Sequence, residues 1–447
     1  MAFLPILPCR YSIWCYFACK ANLCHHHYRP ASMSIIPTLQ KTRVASAELA
    51  SLSNFGRQNL LLELANAVEK SCALILEENQ KDLDKIEPAD PKRDRLFLSQ
   101  SRIAEIAHSI RRVAQLDDPT GVICLEKQLP NGLLLRKILV PLGVIGIIYE
   151  SRPNVTLDVA ALCLRSANAC VLRGGSDAWH TNLALVGLIH NVLKSNHMSE
   201  DLVALLPPDR ALLPELLTAT RWVDVIIPRG SDELIQYVRQ NATVPTIETG
   251  AGVVHTYLHK SANLDMAAKI IVNAKTSRPA VCNALDCILV DRAICASLIS
   301  KIKAELEEWK VEIHADQYAY HILSDQNYPY LKPLQPADLG KEWLDFKLTL
   351  VCVETEDEAF THIAAYSSRH SEAIIAEDVA VSERFIREVD SAVVYINAST
   401  RFTDGGEFGL GAEMGISTQK LHARGPFALE KLVTEKWLVA GNGQIRI

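Results

Sequence analysis

The sequence predicts an α/β protein with a doubly wound parallel sheet in its first half, a second α/β domain after it, and a projecting β-hairpin. Short apolar strands alternate with helical segments from Val144 onward, and such alternation is typical of a parallel sheet. The alternation resumes after Thr256, which indicates a second domain of the same class. A turn signal at residues 130–132 lies between two strand-like arms and predicts the hairpin. The 447 residues suffice for two or three domains.

The elements can be assigned in order along the chain. Apolar positions recur at a spacing of three to four residues between 37 and 116, which predicts helices there. Residues 122–139 form the hairpin, and a projecting hairpin commonly finds another subunit to cover its edge. For the first sheet we expect strands at 144–149, 169–172, 202–206 and 223–227, and helices near 155–167, 178–195, 210–219 and 231–240. For the second domain we expect a helix at 266–275, a strand at 284–290, a helix at 293–307 and a strand at 348–353.

Composition narrows the class of protein. The net charge of −6 is modest, so nothing favours a nucleic acid as partner. The 12 cysteines are scattered without paired spacing, several of them inside apolar runs. This distribution indicates reduced thiols in a cytoplasmic enzyme, not a disulfide framework.

Residues 1–32 differ from the rest of the chain. Their apolar stretch is too short to span a bilayer, and their cysteine spacing matches no zinc pattern. We expect Met33 to be the true start and the preceding segment to be a start-site artefact or a disordered extension. We predict neither a metal site nor membrane association, although the segment is rich in Cys and His, namely Cys9, Cys15, Cys19, Cys24 and His25-His26-His27.

Cys282 is the leading candidate for a catalytic residue. It lies in Lys275-Thr-Ser-Arg-Pro-Ala-Val-Cys-Asn-Ala284, where Arg278 and Pro279 interrupt regular structure. A thiol is a strong nucleophile only as the thiolate, and we expect Lys275 and Arg278 to favour its ionisation. The alternative is a buried core cysteine, which is the commoner fate of a free thiol.

Two glycine-containing turns are candidates for contacts with a nucleotide phosphate. Each follows a predicted strand and opens a helix, so backbone N–H groups and an arginine are available there. Turns of this kind are often only turns, and neither contains a G-x-G-x-x-G motif. The residues concerned are Arg173, Gly174, Gly175 and Ser176 in the first turn and Pro228, Arg229 and Gly230 in the second.

Long strings in the chain carry a family resemblance: Tyr149-Glu-Ser-Arg-Pro-Asn154, Val281-Cys-Asn-Ala284, the stretch from Asn397 to Pro426, and Gly441-Asn-Gly-Gln-Ile-Arg446. Together they resemble the γ-glutamyl phosphate reductases, also called glutamate-5-semialdehyde dehydrogenases, of the aldehyde dehydrogenase superfamily. The resemblance covers essentially all of residues 33–447. It implies an aldehyde dehydrogenase-like fold, with a cofactor domain, a catalytic domain and an oligomerisation hairpin.

The resemblance also implies a reaction, the NADPH-dependent reduction of L-glutamyl 5-phosphate to L-glutamate 5-semialdehyde and phosphate. This is the second step of proline biosynthesis from glutamate. Cys282 would attack the acyl phosphate to give a thioester, which hydride from the nicotinamide then reduces. We expect the Cys282 backbone N–H and the Asn154 side chain to stabilise the oxyanion, although helix capping is the alternative role for Asn154.

Cations are expected to hold the two anionic groups of the substrate, because guanidinium pairs bidentately with phosphate and carboxylate. Arg152, Arg401 and Arg424 lie within the strings above and are the candidates, with Asn283 beside the sulfur. Surface or structural ion pairs are the alternative role for these arginines.

Two glutamates are assigned to the cofactor side by the same resemblance. Glu248 resembles the superfamily glutamate that activates a deacylating water, a role that a phosphate-releasing reductase does not need, so a cofactor-side or structural role is expected. Glu342 would contact the nicotinamide ribose. Ser176-Asp177 stands where many relatives have a lysine, so the NADPH preference depends on the resemblance and on Arg173 or Arg229.

Domain limits and partners follow from the resemblance as well. The NADP-binding domain comprises 33–118 and 139–250, with 397–428 returning to it, and the catalytic domain comprises 251–396. Segments 119–138 and 429–447 form the oligomerisation element. A homo-oligomer and an association with glutamate 5-kinase are expected. The alternative function is that of a general NAD(P)-dependent aldehyde dehydrogenase acting on a free aldehyde, which would not release phosphate.

Overall fold

A computed structural model describes residues 34–87, 90 and 92–446. The expectations for residues 1–32 and for Met33 lie outside these residues. Within them, no helix combines the length and the apolar character that crossing a membrane requires. All eight cysteines of the described part are free thiols.

Helices dominate the N-terminal region, as predicted, and then alternate with strands. The helix Gln100–Gln115 buries Ile103, Ile106, Ile110 and Val113 on one face, which confirms the apolar spacing predicted for this region. The described helices are α1 Ile36–Ser51, α2 Asn54–Lys70, α3 Cys72–Leu83, α4 Lys92–Leu96, α5 Gln100–Gln115, α6 Asn154–Arg165, α7 Trp179–Ser195, α8 Leu213–Leu217, α9 Asp232–Asn241, α10 Leu264–Thr276, α11 Arg292–Glu308, α12 Gln317–Asp325, α13 Glu356–Tyr366 and α14 Val379–Glu388.

The strands form two parallel and two antiparallel sheets in the described residues. They are β1 Ile123–Gln128, β2 Leu134–Pro141, β3 Val144–Tyr149, β4 Ala169–Arg173, β5 Val203–Leu205, β6 Val225–Arg229, β7 His255–Leu258, β8 Cys287–Asp291, β9 Glu312–Ala315, β10 Leu331–Pro333, β11 Lys347–Val353, β12 Ser371–Ile375, β13 Val393–Ile396, β14 Gly415–Ser417, β15 Gly425–Phe427 and β16 Val433–Ala440.

The first parallel sheet has the order β5-β4-β3-β6. The chain builds outward from β3 to β5 and then returns to place β6 on the other side of β3. Open α/β sheets bind ligands at the carboxyl ends of the strands where this order reverses. Here that edge carries Glu150 to Arg152 after β3, the turn 173–176 after β4 and Arg229-Gly230 at the end of β6. All four predicted strands of this sheet are confirmed.

The second parallel sheet has seven strands in the order β10-β9-β11-β8-β7-β12-β13. The predicted strands β8 and β11 and helices α10 and α11 are confirmed. The central strand β7 was not predicted. It begins with His255 and Thr256, both of which have 0% exposure, so its buried face carries polar residues where the sequence pattern looks for apolar ones.

The predicted hairpin is formed by β1 and β2, and the C-terminal strand β16 pairs with β2 along its whole length, from Val433↔Pro141 to Ala440↔Leu134. The three strands form a separate antiparallel sheet. Seven of the eight β16 residues and all six β1 residues are exposed. The expected domain limits themselves stay a prediction.

Candidate active site

Cys282 lies in the loop between α10 and β8 and is partly exposed. Gly252 packs against the backbone of this cysteine so closely that a Cβ at position 252 would overlap the Cys282 carbonyl group and lie 2.8 Å from its Cα. The Gly252 N–H donates to Glu342 Oε1 at 2.7 Å. The loop that carries Cys282 therefore packs against a residue that must lack a side chain.

The charge around the thiol is mixed. Burial raises the pKa of Cys282 to about 12, and the carboxylates of Glu413 and Glu342 raise it as well, while Arg152 and Arg229 act in the opposite direction. These surroundings therefore favour the neutral thiol over the thiolate at neutral pH.

The expectation that Lys275 favours ionisation of Cys282 is wrong. Lys275 is on the buried face of α10, where its Nζ donates to the backbone oxygen of Asp345 at 3.0 Å and lies 3.9 Å from Asp286 Oδ1. Sequence proximity misled here, because the helix directs this ammonium into the protein. Arg152 and Arg229 are the cations that favour the thiolate.

Several arginines lie within electrostatic reach of Cys282. Arg152 remains exposed to solvent, but desolvation by the surrounding protein lowers the pKa of its guanidinium, and the neighbouring charges of Arg229, Arg95 and Arg278 lower it further, while the Cys282 thiolate raises it. Arg152 makes no ion pair or side-chain hydrogen bond with any described residue. Several cations within electrostatic reach of one another and of one thiol constitute a site for an anionic ligand.

Arg401 is tied to residues on both sides of Cys282. Its Nη1 donates to Asn283 Oδ1, and its Nε donates to Ser277 Oγ at 3.1 Å. Asn283 in turn donates to the backbone oxygen of Thr403 at 2.8 Å. Burial and Arg278 lower the pKa of Arg401, and the Cys282 thiolate opposes them. The structure therefore brings Arg401 and Asn283 together with Cys282.

Two other predicted residues have partners of their own. Asn154 is the first residue of α6, and its Nδ2 donates to Asp158 Oδ2 at 3.0 Å. The helix has no side-chain cap at this end, so the alternative capping role of Asn154 is not realised. Arg424 pairs with Asp390, its Nη2 lying 2.7 Å from Oδ1, and it is not brought to the thiol by any contact seen here.

The two glutamates assigned to the cofactor side differ in their surroundings. Glu248 is buried and forms an ion pair with Arg239, whose Nε donates to Oε2 at 2.8 Å. Glu342 accepts from Gly252, and burial raises the pKa of its carboxyl group. Glu342 is thus close to Cys282, whereas Glu248 is held by an arginine.

The first glycine turn contains buried donors without partners. Arg173 donates to the Pro208 backbone oxygen at 2.7 Å through Nη2, but its Nε has no partner. Asn182 Nδ2 also has none, and it lies against Gly174, where a Cβ would overlap it. In the second turn, Arg229 Nη1 donates to the Glu413 backbone oxygen at 3.0 Å, and the Pro228 backbone oxygen accepts from Thr249 at 2.9 Å.

Sequence reasoning missed three residues of this site: Gly252, Glu413 and Arg95. Glu413 is buried, which raises the pKa of its carboxyl group, and its Oε2 accepts from the Gly405 N–H at 2.9 Å. Glu413 lies within the long C-terminal string noted above, whereas Gly252 lies in the short segment Gly250-Ala-Gly252. Nothing near Arg95 in the sequence marks it.

Comparisons with known proteins agree with this geometry. The aldehyde dehydrogenase family matches residues 29–322. The chain is 52% identical over 415 residues to a γ-glutamyl phosphate reductase of Chlorobium phaeobacteroides, a match that covers 92% of this chain and 99% of that protein. It is 52% identical over 410 residues to one of Legionella pneumophila, covering 91% and 98%.

A solved structure is similar along nearly the whole chain. The crystal structure of γ-glutamyl phosphate reductase from Thermotoga maritima superimposes with a TM-score of 0.88 at 38% identity, covering 93% of this chain and 100% of that one. Enzymes of the aldehyde dehydrogenase family use a nicotinamide cofactor. The chain therefore belongs to the aldehyde dehydrogenase family, among its γ-glutamyl phosphate reductases.

Proposed function

We propose that this chain reduces L-glutamyl 5-phosphate to L-glutamate 5-semialdehyde with NADPH and releases phosphate, the second step of proline biosynthesis from glutamate. The observation that carries the proposal is the set of arginines around one thiol. A substrate with a phosphate and an α-carboxylate needs cations on both sides of its reactive carbon. Arg152 is without an anionic partner among the described residues, and Arg401 is fixed next to Cys282.

Acylation begins when the minor fraction of Cys282 that is present as thiolate attacks the acyl phosphate carbon, so that the new C–S bond replaces the C–O bond to phosphate. Phosphate is a good leaving group, so the step needs no strong acid, and guanidinium groups stabilise the charge that develops on it. Arg152 and Arg229 also favour the thiolate. We assign Arg152 and Arg401 to the substrate anions, with Asn283 orienting Arg401.

The tetrahedral oxyanion requires donors that are already in place. We assign this role to the Cys282 backbone N–H and to Asn154. Only one of the two hydrogens on Asn154 Nδ2 is needed for its bond to Asp158, so the other remains available to the oxyanion. The bond to Asp158 fixes the rotamer of the amide.

The residues at the first parallel sheet fit a dinucleotide. The unpaired donors on Arg173 and Asn182 lie at the turn after β4, and a phosphate or ribose oxygen would satisfy them. We assign Gly174, Gly175, Ser176, Pro228 and Gly230 to the same ligand. When bound, NADPH supplies the hydride that reduces the Cys282 thioester.

The reaction ends when the thiohemiacetal on Cys282 collapses and the thiolate leaves. No water has to be activated. Glu248 accordingly has a structural role, because its carboxylate is paired with Arg239.

The test is an assay in which ATP, glutamate and a glutamate 5-kinase generate the labile acyl phosphate in place. Phosphate released by the kinase mixture without this enzyme is measured separately and subtracted. We then expect one phosphate for each NADPH consumed, and no turnover by Cys282→Ser. Oxidation of a free aldehyde with NAD(P) at a rate that phosphate does not influence would instead support a general aldehyde dehydrogenase.

We also propose that the sheet of β1, β2 and β16 joins subunits into a homo-oligomer. Trp437 and Val439 are 51% and 59% exposed, and Ile123 is 52% exposed on the neighbouring arm. Exposed apolar residues on a projecting sheet are typical of an interface. Val439→Asp should lower the mass measured by sedimentation, and an unchanged mass would contradict the assignment.

Because the substrate is labile, we further propose that a kinase which phosphorylates the glutamate side-chain carboxylate acts in association with this enzyme.

A further inference from the structure

Three neighbouring strands of the second parallel sheet carry a row of buried polar residues on one face. Cys282 lies outside these strands, in the loop before β8, but is close to the row in sequence. Glu372 in β12 is paired with His255 in β7, and His255 is paired with Cys287 in β8. Paired residues of neighbouring strands direct their side chains to the same face. Three side chains able to bind a metal or to support a ligand therefore stand side by side.

His362 completes the cluster from α13. Its Nε2 lies 3.8 Å from the Cys287 sulfur, and its ring centroid lies 5.5 Å from that of His255. One ligand atom each from His255, Cys287 and His362 lies within 4.8 Å of the others. His255 is completely buried, and within the described residues its Nε2 has neither a hydrogen-bond partner nor an ion pair. A buried ring nitrogen without a partner is unfavourable and indicates a position that a ligand can fill.

We propose that His255, Cys287 and His362 bind a thiophilic divalent cation such as Zn²⁺. Zinc bonds of about 2.3 Å to sulfur and about 2.0 Å to nitrogen at a tetrahedral angle place sulfur and nitrogen about 3.6 Å apart, close to the 3.8 Å between Cys287 and His362. Three protein ligands leave one position for water, and the partly exposed side of His362 gives access to it.

Glu372 supports the same assignment without being a ligand. Its Oε2 lies 3.2 Å from His255 Nδ1, so the carboxylate orients the ring and leaves Nε2 for the metal. Histidine ligands commonly have a carboxylate behind them in this way. One dication, one thiolate and one carboxylate also sum to zero charge, which a buried site requires.

The cluster adjoins the catalytic loop at two points. Cys287 is five residues after Cys282, and His255 is three residues after Gly252. A bound cation would link the strands that begin at these two positions. We expect it to raise the melting temperature of the protein.

Cobalt(II) is the probe that tests the site, since a thiolate ligand gives it a charge-transfer band in the near ultraviolet. The full chain is stripped of metal and titrated with cobalt(II). It carries Cys282→Ser so that the catalytic thiol does not compete for the metal. Residues 1–32 contain further cysteines and histidines, which every variant shares, so the comparison is between variants of the same chain. We expect Cys287→Ser and His362→Gln each to remove one equivalent of cobalt and to weaken binding there at least about 100-fold.

Cys352→Ser is the matched control, because Cys352 lies on the neighbouring strand β11 outside the cluster, with its sulfur 3.1 Å from that of Cys295. It should keep both the band and the stoichiometry. Equal cobalt binding by His362→Gln and the parent would overturn the proposal and leave His255 and Glu372 as a buried ion pair. His362 is partly exposed on a helix, so this variant remains informative if Cys287→Ser does not fold.

Discussion

Gly252→Ala tests the support of the catalytic loop. In the structure an alanine Cβ would overlap the Cys282 carbonyl group and lie 2.8 Å from its Cα. Carbon atoms in contact lie about 3.5–4.0 Å apart, and the carbonyl group is even closer to the new Cβ than the Cα is, so the loop must move by more than about 1 Å to accept a single methyl group. The contacts are with backbone, and no side chain can rotate away to absorb the overlap.

A displacement of this size at a reacting group lowers the rate about 100-fold. We therefore expect Gly252→Ala to reduce kcat/KM for glutamyl phosphate at least about 100-fold. NADPH binding, measured by fluorescence quenching, should change little, because the glycine turns of the first sheet are not touched. Initial rates with substrate generated in place provide the measurement.

Gly187→Ala is the matched control. Gly187 lies within α7, where an added Cβ meets nothing within 4 Å, so the same substitution should leave activity unchanged and stabilise the helix by up to about 1 kcal/mol. If Gly252→Ala is as active as the parent, the loop does not depend on this contact and the reasoning fails.

Three further predictions concern charge and stoichiometry at the thiol. Because burial raises the pKa of Cys282 to about 12, its alkylation by iodoacetamide should accelerate about tenfold per pH unit from about pH 7 to about pH 9, and a plateau near neutral pH would show a thiolate already formed. Glu413→Gln removes a carboxylate that raises this pKa and should speed alkylation at fixed pH, whereas Arg152→Gln should slow it; the opposite order would exclude the charge arrangement described here. Arg401→Ala should lower kcat/KM at least about tenfold with NADPH affinity nearly unchanged, while Arg292→Ala, which breaks an exposed pair with Glu354, should do neither; lost NADPH affinity would place Arg401 at the cofactor.

The strands of the first sheet could be predicted because they are short apolar runs buried on both faces. Val144–Tyr149 is buried at every position, and its continuous apolar sequence alone indicates a strand that is covered on both faces. Strand β7 lacks this signal, since the polar side chain of His255 is buried beside Glu372, which is far away in sequence. Only the register of the sheet brings the two together.

The same limit applies to the site. Cys282, Asn283 and Arg401 were predicted because they lie in recognisable strings, and the structure joins Asn283, the residue after Cys282, to Arg401 by hydrogen bonds. The environment of the thiol could not be predicted, because it depends on Glu413 and Glu342 from distant segments and on which way Lys275 points from its helix. Local sequence predicted the nucleophile but not the charges around it.

The most direct test of the proposed mechanism is mass spectrometry of the protein after acid quenching. The enzyme is incubated with glutamate, ATP and a glutamate 5-kinase in the absence of NADPH, so that the acyl group cannot be reduced. We predict a glutamyl adduct on the peptide that contains Cys282, lost on addition of NADPH before the quench and absent from Cys282→Ser. Turnover without such an adduct, or an adduct that persists in the serine variant, would contradict a Cys282 thioester.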